Sequence, residues 1–303
     1  MRQMRLGSFD VPVVGLGCNN FGGRLDTERT RAVVDAALES GVTFLDTADV
    51  YGNKGGSERA LGEALRGRRG EVVLATKFGN SMGDGLAGGA PEYVERALDA
   101  SLERLGTDHV DLLYYHRPDG VTPIADTVRA MAELVASGKL RAIGLSNVTV
   151  AQLDEAVAAA PIAVVQNEYS LLARGAERDV LPRCRELGIG FVPYFPLASG
   201  FLTGKYRPGA AMPGTRLAGE TGLEEGAQVT RLASASFGTI ERLEGFAADR
   251  GHSLLELAIA ALASQPGVAS VIAGATSPEQ VAANAAAGDW QLTPQELELL
   301  AQV

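Results

Sequence analysis

The stretch Phe44–Gly52, FLDTADVYG, begins as a buried strand and ends as something else. Val42 and Thr43 before it are β-branched, Phe44 and Leu45 are apolar, and the run stops at the carboxylate of Asp46. Five residues later comes Tyr51, then a glycine, then the helical pattern SERALGEALRG. A short buried strand, a polar strand end, a glycine-bearing loop and a helix make one β/α unit.

The unit recurs along the chain. EVVLATK precedes PEYVERALDASLERLG, HVDLLYYH precedes PIADTVRAMAELVASG, and LRAIGLS precedes TVAQLDEAVAAA. IAVVQNE precedes AERDVLPRCRELG, GIGFVPYFP precedes a long loop and a helix, and ASVIAGA precedes PEQVAANAAA. With VVGLG near the start, the strand candidates number eight. Runs this apolar suit parallel strands covered on both faces. The pattern predicts an α/β fold, an eight-stranded parallel β/α (TIM) barrel, as a single domain over residues 1–303. The opening RLGSFDVPVV predicts an N-terminal β-hairpin that plugs the barrel bottom. Residues 209–226, rich in Gly, Ala and Thr, predict a mobile loop.

Composition narrows the function. A formal net charge of −10 disfavours nucleic acid and anionic membrane surfaces as partners. Only Cys18 and Cys184 are present, so no disulfide framework is expected and a reducing compartment fits. The opening MRQMRLGSFDVPVVGLG has no long apolar core, and no run is long enough to span a bilayer. A cytoplasmic protein acting on a small molecule is the expectation; oligomeric state is not readable.

Parallel strands end together, and barrel chemistry sits on the rim at their C-terminal ends. The second strand brings Asp46 and, on its loop, Tyr51; the third brings Lys77; the fourth brings His116. A free phenol has a pKa of about 10 and is a poor acid at neutral pH. A nearby ammonium lowers it, and a carboxylate keeps a buried ammonium charged. His116 adds a hydrogen-bonding partner for a substrate oxygen, so the group can protonate an oxygen as it becomes an alkoxide. Taken singly, each has a structural role open to it: a capping Asp, a packing Tyr, a Lys reaching to solvent, a hydrogen-bonded His. Their placement on three consecutive strands favours the chemical reading.

The segments FLDTADVYG, LATK, VDLLYYHRPD, IGLSN, VVQNEYSLL and PYFPLASGFLTGKY together resemble the aldo-keto reductase superfamily, in order and on the expected strands. The likeness leans to the bacterial branch that is also similar to potassium-channel β-subunits. It implies that Asp46, Tyr51, Lys77 and His116 form a catalytic tetrad. It further implies reduction of aldehydes or ketones by hydride from NAD(P)H, with Tyr51 as general acid and no metal. The other reading is a cofactor-binding sensor or interaction module with residual turnover; an intact proton donor weighs against it.

None of the four side chains can give hydride, so a cofactor must. GDGLAG at 83–88 fits the dinucleotide fingerprint G-x-G-x-x-G, but it lies several residues past its strand, and Asp111 downstream sits at a strand start. A rim loop is the better reading. Ser146, Asn147 and Gln166 offer donors and acceptors suited to a carboxamide, and Tyr194 offers a flat face. A helix cap is the competing role for Ser146 and Asn147. The resemblance adds Pro196, Leu197, Gly274, Thr276, Gln280 and Asn284 to the cofactor contacts. TSPEQ also reads as a capping box on Ser277 and Gln280.

Two departures from the family pattern stand out. No Lys or Arg follows Gly251, where many relatives grip the 2′-phosphate of NADPH. Lys205 and Arg216 match the loop that covers the phosphates in the channel-like relatives, so NADPH is expected, with NADH possible. Phe195 stands where Ser is common. The substrate pocket is expected from the CNNFGG loop with Phe21, from Tyr51, and from His116 and Arg117 in HRPD. The C-terminal PQELELLAQV leaves no tail to wall it, so broad, weak selection among small aldehydes is expected.

Overall fold

The computed structural model describes residues 1–205 and 237–303. Strands β1 (Gln3–Leu6) and β2 (Phe9–Pro12) form an antiparallel hairpin. Then β3 (Val14–Gly17), β4 (Phe44–Asp46), β5 (Val73–Phe78), β6 (Val110–Tyr115), β7 (Leu140–Ser146), β8 (Val164–Gln166), β9 (Gly190–Phe191) and β10 (Val271–Gly274) pair in parallel. The eight-stranded sheet runs β10-β3-β4-β5-β6-β7-β8-β9. Its two ends meet where Phe191 bridges Val268, through Phe191 N–H to Gly267 O at 2.9 Å and Ala269 N–H to Phe191 O at 2.8 Å. The predicted barrel with its hairpin is what the chain adopts.

Helices alternate with the strands: α1 (Thr27–Glu39), α2 (Tyr51–Ala64), α3 (Pro91–Leu105), α4 (Ile124–Ala136), α5 (Val150–Ala159) and α6 (Val180–Leu187). After the segment outside the described residues, which includes the predicted loop 209–226, come α7 (described over 237–248), α8 (Leu254–Ala263), α9 (Pro278–Ala287) and α10 (Pro294–Leu300). Their starts follow local chemistry. Thr149 with Gln152, Ser253 with Glu256 and Thr293 with Glu296 form reciprocal capping boxes on α5, α8 and α10. Three predicted segments are shorter than read. The AERDVLPRCRELG helix is regular only over α6, because Asp179 leaves helical geometry and accepts from Val180 N–H. GIGFVPYFP narrows to β9, since Pro193 and Pro196 have no N–H to donate. IAVVQNE narrows to β8.

Alternation inside the strands sets what faces the barrel axis. Phe44, Ala75, Leu112, Tyr114, Val164 and Ile272 form one buried cluster, closed from below by Leu6 and Val11 of the hairpin. The plug expected from the opening residues is therefore in place. Two residues further along, on the same parity, stand Asp46 on β4, Lys77 on β5, Ser146 on β7 and Gln166 on β8. The apolar floor and the polar layer above it are one pattern read along the strands. A larger core cluster, with Val34, Leu61, Leu98, Met131 and Leu153, lies between the barrel and its helices.

Candidate active site

Lys77 is almost wholly buried, which no isolated ammonium tolerates. Its Nζ donates to Asp46 Oδ1 and, at 2.9 Å, to the backbone oxygen of Thr47. Asp46 is equally buried and takes a second hydrogen bond on Oδ2 from Gln166 Nε2, at 2.9 Å. Burial alone would lower the Lys77 pKa, but Asp46 and then Tyr51 overcome it and hold it above the ordinary value. The ammonium stays charged, as the sequence reading required of Asp46.

Tyr51 is held at the first turn of α2, and Lys77 Nζ lies 5.1 Å from its ring centroid. Here the balance differs from expectation. Burial is the largest influence and raises the phenol pKa; Lys77 opposes it without winning. Removing a phenol from water penalises the phenolate more than one adjacent, already paired ammonium rewards it. Tyr51 is thus a protonated group beside a fixed positive charge.

The His116 ring meets the Tyr51 ring edge to face, centroids 5.7 Å apart. Burial, then the charges of Lys77 and Arg117, push its pKa down to about 3, so the imidazole is neutral. Asp46, Tyr51, Lys77 and His116 are thus brought together. Arg117 is exposed at the rim. Phe21 is not on an open pocket: it is fully buried in the core cluster between barrel and helices, because the CNNFGG loop folds its ring inward. That correction removes Phe21 from the substrate-facing set in this structure.

The expected cofactor residues continue the same network. Asn147 Nδ2 donates to His116 O at 2.9 Å and to Ser146 Oγ at 3.1 Å, and its Oδ1 accepts from Tyr194 OH at 2.7 Å. Thr149, not Ser146 or Asn147, caps α5, so the competing structural role for this pair is taken by another residue. Tyr194 lies past the end of β9, where it bridges Glu168, and its ring meets that of Phe195. Phe195, Ala198 and Ser199 all have left-handed backbone, a costly arrangement for side chains with a Cβ that flanks Pro196 and Leu197. Gly274 is exposed at the end of β10, and Asn284 is buried on α9. Ser277 caps α9, but Gln280 Oε1 reaches back to Thr276 N–H at 2.9 Å rather than completing the box on Ser277. Lys205 is exposed, and Arg216 lies outside the described residues.

The donor set fits a nicotinamide dinucleotide: amide and hydroxyl groups around Asn147, an aromatic face at Tyr194, and a side-chain-free strand end at Gly274 beside a capped helix. The glycine run 83–88 takes no part in a dinucleotide fold. It is a rim loop closed by Gly88 N–H to Gly79 O at 2.8 Å, and Asp111 is a buried partner of Arg69 and Arg141. Sequence reading missed Asn80, whose Nδ2 sits 3.1 Å from His116 Nδ1. It also missed Tyr114, which lies under Lys77 with the ammonium 5.7 Å from its ring. Strand parity carried the signal for Tyr114.

A probable voltage-gated potassium channel subunit beta from Oryza sativa subsp. japonica is 37% identical over 297 residues, covering 93% of this chain and 89% of that protein. The solved structure of a glycerol dehydrogenase from Gluconobacter oxydans superposes with a TM-score of 0.83 at 27% identity, covering 99% of this chain and 94% of that one. The sequence profile of the Aldo/keto reductase family matches residues 13–303, and the chain belongs to that family.

Proposed function

We propose that this protein reduces aldehydes and ketones to alcohols with NADPH, and that Tyr51 delivers the proton. The observation that carries the reading is the Tyr51 ring set 5.1 Å from the ammonium of the buried Lys77–Asp46 pair, with the His116 ring against it edge to face. The nicotinamide supplies hydride to the carbonyl carbon when bound. The phenol gives its proton to the oxygen as charge builds there, and the ammonium behind it stabilises the phenolate left over. Asp46 keeps the ammonium charged, and His116 orients the carbonyl oxygen. Ser146, Asn147, Gln166, Tyr194, Pro196, Leu197, Gly274, Thr276, Gln280 and Asn284 would hold the cofactor, and the cations of Lys205 and of Arg216, which lies outside the described residues, would pair with its phosphates. His116, Arg117 and Tyr51 face the substrate.

The similarity to a channel subunit keeps a partner-binding role in view, but such a role gives no reason for a buried ammonium against a phenol. No helix among the described residues is long and apolar enough to cross a membrane, which is compatible with a cytoplasmic enzyme. A panel of aromatic and aliphatic aldehydes and ketones, assayed by loss of NADPH or NADH absorbance, tests the proposal. Turnover of activated aldehydes faster than ketones is expected; no oxidation of either cofactor by any carbonyl would remove the enzyme reading.

A further inference from the structure

A neutral imidazole has one N–H and one lone pair, so it can donate from only one of its two nitrogens. Which nitrogen carries the proton decides whether His116 attracts or repels a carbonyl oxygen. The answer lies at the end of the neighbouring strand. After Lys77 and Phe78 the chain turns at Gly79, which has left-handed backbone and whose missing Cβ would sit 2.8 Å from the Tyr115 ring. His116 N–H bonds to Phe78 O at 2.8 Å, so the two strand ends are still in register when the turn begins. The turn brings the Asn80 amide nitrogen to 3.1 Å from His116 Nδ1. No other side chain among the described residues hydrogen-bonds this ring.

We propose that Asn80 is a positioning residue that fixes the tautomer of His116: its amide N–H donates to Nδ1, which places the ring proton on Nε2 and makes Nε2 the donor to the substrate oxygen. An amide nitrogen can only donate, so a neutral ring facing it must present a lone pair there. An inverted Asn80 amide would demand the opposite tautomer and point a lone pair at the substrate. The neutrality of the ring follows from its burial and from the Lys77 and Arg117 charges that face it, with the Tyr51 ring on its edge. The role in turnover rests on the carbonyl-reductase reading; the tautomer does not.

The test uses the whole protein with nitrogen-15 in its histidines. The chain has only 3, so His116→Ala assigns the signal directly. At neutral pH we expect His116 with the proton on Nε2 and a bare Nδ1. Asn80→Asp replaces the donor by an acceptor of the same shape, so the proton moves to Nδ1 and the imidazole pKa rises. Reduction by this variant should drop on the order of 10²-fold in mildly alkaline buffer, the effect of losing one oxyanion donor. It should recover as pH falls through the new pKa, where the imidazolium again has an N–H on Nε2. Wild type should show no such limb, and cofactor affinity should be equal in both. A wild-type proton on Nδ1 would overturn the proposal, as would an Asn80→Asp protein with unchanged tautomer or unchanged turnover. If the tautomers behave as stated while no carbonyl oxidises either cofactor, the reductase reading falls and the role of Asn80 in setting the ring stands.

Discussion

Tyr51 donates only if its proton is held in the resting site and released when charge develops above it. Burial favours the first, and on the proposed mechanism the Lys77 ammonium would supply the second. Tyr51→Phe should therefore lower kcat by ~10²–10⁴-fold with cofactor affinity nearly unchanged. Lys77→Met should be as damaging to turnover, and it carries a second penalty. It leaves Asp46 as a buried, unpaired carboxylate with only Gln166 to bond it, which costs about 3–5 kcal/mol of stability. Kinetics at saturating cofactor, with urea unfolding of both variants, separate the two effects. Full activity in Tyr51→Phe would displace it as the acid. These four residues were legible because each ends or follows a strand, and strand ends meet on the rim whatever their distance in sequence. Asn80 was not legible, since its role depends on a turn at Gly79 that the residue pattern does not aim. Phe21 was read as pocket-lining because its loop is on the rim, but the direction of one ring within a loop is set by packing.

At the scale of elements, the loop after β3 and the start of α2 cross almost without side chains. A Cβ at Gly22 would fall 2.2 Å from the Gly56 carbonyl carbon, and the Gly22 backbone is left-handed. This crossing sets where Tyr51 stands, because the chain between them has no room to shift. Gly22→Ala should cost about 3 kcal/mol through clash and backbone strain together. It should lower kcat more than it weakens cofactor binding, because Tyr51 moves and Asn147 does not. Thermal unfolding and cofactor titration on one preparation decide this; an alanine variant of native stability would mean the crossing gives way easily. The alternation of strands and helices predicted most elements, yet α1 and α8 did not stand out, and α2 begins with four residues of left-handed backbone that no helical periodicity reveals.

The whole molecule carries a net charge of −10 and is proposed to bind a polyanion. Long-range attraction cannot account for that, so local cations must. NADPH should bind more tightly than NADH, each charge-assisted hydrogen bond to the extra phosphate contributing ~1.5–3 kcal/mol. A Lys205→Ala, Arg216→Ala double variant should lose most of the preference. Equal dissociation constants for the two cofactors in fluorescence titration would refute this. The barrel was legible from its eight apolar runs; which residues join its two ends was not, because that seam runs through a two-residue strand and one isolated bridge. That closure has a mechanical meaning. The ring of strands is split between β9 and the chain before β10, and among the described residues two hydrogen bonds around Phe191 span the gap. Tyr194 leaves one lip of the split and Gly274 ends the other. A dinucleotide lying across both would act as a clasp, so that loading the protein also tightens it. The amides of Phe191 and Ala269 should exchange with deuterium fastest among the buried ladder amides, and slow most when NADPH is added. Exchange there that ignores the cofactor would show that the ring is already shut without its clasp.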